Sequence, residues 1–239
     1  MSRLKEGSAG KNSLWRMIFA GAQKALPIVF GYIPIGFAYG VLAQKAGIST
    51  FNTVLMSVTV FAGSSQLIAV ELFALGLSTS SVLLTTFIVN LRHMLMAAAL
   101  SPYLQDWKKG ELAAFAYELT DETFALHAMR MSAGKVSKIE TFAINLTAQV
   151  AWILGTALGV IIGGQIAEIE PIALDYALPA MFMVLLVMQV KKRKDVVVAV
   201  LSGLLSVGLL LLGFDQWHVI IATVIAATLG VGMEQWAKK

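Results

Sequence analysis

The feature that most constrains this chain is a group of acids in a place where acids are costly. Within Ala113-Ala114-Phe115-Ala116-Tyr117-Glu118-Leu119-Thr120-Asp121-Glu122-Thr123-Phe124-Ala125-Leu126, Glu118, Asp121 and Glu122 fall close together, and nearly everything on either side is apolar enough to live in lipid. Read as one helix, the three acids share a face at i, i+3 and i+4, with His127 opposite Glu118. An ionised side chain at mid-bilayer costs about 2.5–3.5 kcal/mol on the insertion scale, so three cost roughly 8–10 kcal/mol. The stretch must therefore face water, a polar cavity or cationic partners, or lie outside the hydrocarbon.

Composition fixes the class. Of 239 residues, 58% are hydrophobic and only 13% charged, against about 25% charged in a soluble domain. This predicts an all-α membrane protein: a short basic cytosolic tail (1–16), then a single transmembrane domain (17–239). The net charge of +4 does not indicate nucleic acid, because the bases sit at the ends of apolar runs, as the positive-inside rule expects. The lack of cysteine excludes disulfides, thiolate metal sites and a Cys nucleophile. Met1–Ser13 is polar, and the first apolar run carries Lys24, Pro27 and Pro34, so it reads as a retained helix, not a signal peptide.

Eight apolar segments follow, with several breaks expected. The first, about Met17 to Ala43, holds Pro27, Gly31, Pro34, Gly36 and Gly40. Each proline removes a backbone hydrogen bond, giving either a kinked packing helix or a break that lines a cavity. Gly36 and Gly40 form a small-xxx-small contact surface. The second, about Phe51 to Leu75, is split by Ala62-Gly63-Ser64-Ser65-Gln66, where unwinding frees N–H groups for a carboxylate. Helix-bonded serines are the plainer alternative. Glu71 belongs at the interface. The third, about Ser80 to Leu104, contains Asn90-Leu91-Arg92-His93. Arg92 either snorkels or pairs with the acidic stretch, and His93 either relays protons or packs as a hydrogen-bonding group.

The acidic stretch is the fourth segment. The fifth, about Thr141 to Gly164, places Asn145, Gln149, Trp152 and Thr156 on one inward stripe, beside a packing ridge of Gly155, Gly159 and Gly163. The sixth, about Ile172 to Val190, opens with Asp175-Tyr176-Ala177-Leu178-Pro179 and becomes methionine-rich. Asp175 either caps that helix or joins a polar site. Lys191-Lys192-Arg193-Lys194 follows, then two clean helices, about Asp195–Gly213 and Trp217–Trp236.

If all eight segments cross, both termini are cytosolic and the Glu168/Glu170 loop is outside, but Lys108 and Lys109 also land outside. If the Gly63 segment and the acidic segment are re-entrant, six cross and those lysines move inside. Charge favours six and segment length favours eight; eight, with buried breaks, is the expectation. Two halves meeting near Leu104, each interrupted early, suit a pair of inverted repeats.

The ordered fragments Gly31-Tyr-Ile-Pro34-Ile-Gly36, Gly63-Ser-Ser-Gln66, Asn90-Leu-Arg92-His93, Thr120-Asp121-Glu122-Thr-Phe124-Ala-Leu126 and Asp175-Tyr-Ala-Leu-Pro179-Ala-Met resemble the AzlC-type branched-chain amino acid permease family. The resemblance covers about Ala20 to Gly213. It implies a prokaryotic inner-membrane exporter of leucine, isoleucine, valine and similar amino acids, working with a small AzlD-type membrane subunit. An oligomer is allowed.

A zwitterion needs one site for its carboxylate, one for its ammonium and a greasy pocket. Gly63, Ser64, Ser65 and Gln66 offer donors; Asp121, Glu122 and Asp175 offer acids; Met181, Phe182 and Met183 offer lining. Glu118, Asn90, Arg92, His93, Asn145 and Gln149 are candidates for coupling or the pathway. Competing readings are a passive channel or scaffold, and a membrane enzyme using His93, His127, Asp121 and Glu122 on a metal. No H-E-x-x-H or G-x-x-x-x-G-K-[ST] spacing supports a metalloenzyme or direct ATP drive, and no cofactor is expected.

Overall fold

The computed structural model describes residues 3–134, 136–163, 192–214 and 218–236, with isolated positions between 164 and 191. The helices are α1 (Arg3–Lys45), α2 (Thr50–Thr59), α3 (Gly63–Ala74), α4 (Thr79–Leu100, extended by a 3-10 turn, Ser101–Tyr103), α5 (Lys109–Tyr117), α6 (Asp121–Ser132), α7 (Lys138–Gly163), α8 (Arg193–Leu211) and α9 (His218–Trp236). No strand occurs among the described residues. Leu14–Lys45, Thr79–Tyr103, Lys138–Gly163 and Arg193–Leu211 are long and apolar enough to cross a membrane. Two compact units result, Met1–Phe182 and Met183–Lys239.

The first unit is built on α1 and α7, which run parallel. A Cβ on Gly155 would stand 2.6 Å from the Ile33 carbonyl oxygen, and one on Gly36 2.8 Å from that of Trp152; Gly40 faces Thr156 and Gly159 faces Phe37 in the same way. Small residues let the backbones touch where lipid supplies no hydrophobic drive for association. The expected glycine ridge is therefore an interface. Pro27 and Pro34 do not interrupt α1, which is continuous through both. The freed carbonyls lie on a helix held along its length by α7, so close packing replaces the predicted break. Helix also begins as early as Arg3, inside the stretch expected to be a tail.

Both interrupted segments fold back on themselves. Gln66 Nε2 reaches Ser57 Oγ at 3.2 Å although nine residues separate them; in a straight helix they would be about 13 Å apart along the axis. The chain turns at Val60-Phe61-Ala62, with Phe61 held at φ 42°, a left-handed conformation unfavourable for a bulky residue. Thus α2 descends from the C-terminal end of α1 and α3 returns towards that end. In the second hairpin, α5 starts beside the α7 N-terminus, where Glu111 pairs with Lys138. It rises to Tyr117, bonded to Gln149, and α6 comes back down to Arg130, 2.5 Å from Glu140.

The acids do not form one helical face. Glu118 caps the end of α5, whereas Asp121 and Glu122 open α6. Thr120 and Thr123 exchange backbone and side-chain hydrogen bonds there, a reciprocal cap, and the positive end of α6 suits the two acids. Each interrupted segment is long enough to span, but a tight break bends it into two short arms.

Buried Tyr32, Tyr39, Phe61, Leu67, Val70 and Trp152 hold α1, α3 and α7 together around the first break. Leu100, Leu104, Phe115, Leu119 and Met131 do the same beneath the second. In the other unit, α8 and α9 pack on each other, with Val198 against Gly230.

Candidate functional site: a chamber between two hairpin tips

The two tips, one from each end of the unit, meet in the middle. Between them lies a cavity of about 10 Å³ whose walls include Tyr32, Gly63, Ser64, Arg92, Asp121 and Glu122. It is large enough for about one water.

Arg92 links the parts. Its Nη1 lies 2.6 Å from Asp121 Oδ2, and the two side chains are only 25% and 17% exposed. Its Nη2 bonds Ser64 Oγ, and its buried Nε has no hydrogen-bond partner. The sequence left Arg92 between snorkelling and pairing; pairing is what occurs, because α4 lies against α3 and brings the guanidinium to both tips. On the opposite wall, the Tyr32 hydroxyl sits 2.6 Å from both Thr120 Oγ1 and Glu122 Oε2, close enough to donate to the carboxylate while accepting from the threonine hydroxyl. Ala62 gives the first turn of α3 no side-chain cap, so its N–H groups remain available to an anion.

Not every expected residue reaches this chamber. Gly63, Ser64, Arg92, His93, Asp121 and Glu122 do. Ser65 turns back to bond the Ala62 carbonyl at 3.0 Å, and Gln66 is held by Ser57 and by Trp152 Nε1 at 3.1 Å. Gln149 ties the tips together through Tyr117 and the Val58 carbonyl. Asn90 presents its backbone carbonyl to His93 Nδ1 at 3.1 Å, leaving its own buried Oδ1 without a partner. Glu118 and Asn145 lie beside His127, away from the chamber. Gly31 faces open space and Gly36 faces α7, so the proline–glycine run supports the site through Tyr32, not through a break. Asp175, Met181 and Phe182 fall outside the described residues; Met183 is 61% exposed. Tyr32, Thr120 and Trp152 were not singled out as site residues, although the Thr-x-x-Thr spacing at 120–123 was a readable cap.

Helices long enough to cross a membrane, folded-back hairpins and a charged chamber between their tips define a polytopic membrane protein. The chain matches the family described as AzlC protein over residues 27–166, and it belongs to that family, which is associated with transport. It is 32% identical to the Escherichia coli inner membrane protein YgaZ over 193 residues, 78% of this chain and 79% of that one. Identity is also 32% to a membrane protein of Archaeoglobus fulgidus over 226 residues, 93% and 94% of the two chains. The Bacillus subtilis branched-chain amino acid transport protein AzlC is 27% identical over 223 residues, 92% of this chain and 86% of its own. No solved structure matches the chain.

Proposed function

We propose that this chain is a secondary active exporter of branched-chain and similar apolar amino acids across a prokaryotic cytoplasmic membrane, coupled to the proton gradient and assisted by a small AzlD-type subunit. The observation that carries the proposal is the Arg92–Asp121 pair at the meeting of the two tips. A zwitterion replaces it group for group: its carboxylate turns to Arg92 and the α3 N-terminus, its ammonium to Asp121 and Glu122.

The chamber is too small for an amino acid, so one hairpin must withdraw to admit it. Hairpins entering from opposite ends suit this, since each covers the chamber from its own side. The resting closure also disfavours a standing passive channel. With both hairpins re-entrant, Lys108 and Lys109 fall on the same side as the basic N-terminal stretch, as the positive-inside rule favours. Each of α1 and α4 is followed by a hairpin dipping back from the end it reached, in keeping with an inverted repeat.

Labelled leucine efflux from vesicles, with and without a pH gradient and the small subunit, tests the reading. Efflux accelerated by the gradient supports it. Absence of leucine flux, with the subunit present, overturns it.

A further inference from the structure

A second polar group lies behind the acidic hairpin, away from the chamber walls. His127 and Asn145 are both fully buried, and His127 Nε2 is 2.7 Å from Asn145 Oδ1. With the amide oxygen facing the ring, Nε2 carries the hydrogen that Oδ1 accepts, and the amide nitrogen turns elsewhere. The Glu118 carboxyl approaches that amide. Yet Glu118 Oε2, Asn145 Nδ2 and His127 Nδ1 are all buried without a hydrogen-bond partner. Buried polar atoms are normally satisfied, and three such atoms on three touching residues are too many to dismiss as loose packing.

We propose that Glu118, Asn145 and His127 form a proton-carrying site separate from the chamber that takes the amino acid; this rests on the transport reading above. The proton binds at His127 Nδ1, the imidazole nitrogen left free. The Glu118 carboxylate balances the resulting imidazolium through the oriented amide between them. Three helices enclose the group: α5 supplies Glu118 and the Phe115 ring, 5.2 Å from the His127 ring centre, α6 supplies His127 and α7 supplies Asn145. One turn nearer the α7 N-terminus lies the charged cluster of Arg130, Glu140 and, from α1, Lys24. Arg130 Nη1 there is also buried and without a partner, so the unpaired atoms continue towards that end of the unit. At the other end of α6 stand Asp121 and Glu122 of the chamber. A proton held here therefore lies between the chamber and one membrane face.

The test compares the full-length wild type with Glu118→Gln and His127→Gln in vesicles, using leucine as the probe. Leucine counterflow needs substrate binding and hairpin movement but no net proton transfer; a pH-sensitive dye reads proton movement during net leucine flux. The expected result is that both variants keep counterflow and lose leucine-driven proton movement. Wild-type proton movement in either variant, or equal loss of counterflow and proton movement, overturns the proposal. Should His127→Gln fail to fold, the half-buried Glu118→Gln decides alone. Failure of the transport reading shows separately, as wild-type protein without counterflow.

Discussion

Arg92 Nη1 stands 2.6 Å from Asp121 Oδ2, joining the middle of α4 to the first residue of α6 across the line where two hairpins meet. Removing one partner of an enclosed pair leaves the other charge uncompensated. Asp121→Asn is expected to reduce leucine efflux about tenfold or more, as expected where a charged hydrogen bond worth about 1.5–3 kcal/mol is lost. Membrane insertion should be unaffected. Efflux from vesicles alongside membrane fractionation checks this, and full efflux from the Asn variant would contradict the assignment.

The hairpins dictate a labelling pattern. The cysteine-free chain allows single-cysteine variants Arg16→Cys, Leu77→Cys and Lys109→Cys to be probed with an impermeant maleimide. Arg16 and Lys109 should react from one face and Leu77 from the other. If the segments crossed fully, Leu77 would label with Arg16 and Lys109 from the opposite side.

Glycines in α1 differ sharply in what surrounds them. Gly36→Ala places a methyl 2.8 Å from the Trp152 carbonyl oxygen, and overpacking of this kind costs about 1–3 kcal/mol. Gly31 has nothing within 4 Å, so Gly31→Ala should be neutral or stabilising by about 0.5–1 kcal/mol through helix propensity. Thermal unfolding in detergent should show a lowered Tm for the first substitution only.

Acid should weaken one fastening at the base of the second hairpin. Glu111 accepts hydrogen bonds from Lys138 and from the Lys108 backbone N–H, and these hold its carboxyl below the ordinary carboxylate value. With a lowered folded-state value, its contribution is present above the unfolded-state pKa of about 4.3 and fades as pH falls through the folded-state value. Unfolding of wild type and Glu111→Gln, followed across acid pH, should show a stability gap at neutral pH that closes in acid. A gap that widens in acid would reverse the sign.

The sequence by itself determined the class, the helical content, the glycine interface and the inward stripe of Asn145, Gln149, Trp152 and Thr156. Each follows from local composition or from periodicity along a single helix. It also located both interrupted segments, because glycine, hydroxyls and clustered acids are unfavourable in a lipid-facing helix. Tertiary structure alone decided that those segments fold back, that α1 runs unbroken past two prolines, and that Glu118 parts from Asp121 to sit with His127. Those outcomes depend on which helix lies opposite: α7 supports α1, α4 delivers Arg92 to both tips, and no periodicity within one segment encodes the direction of the next.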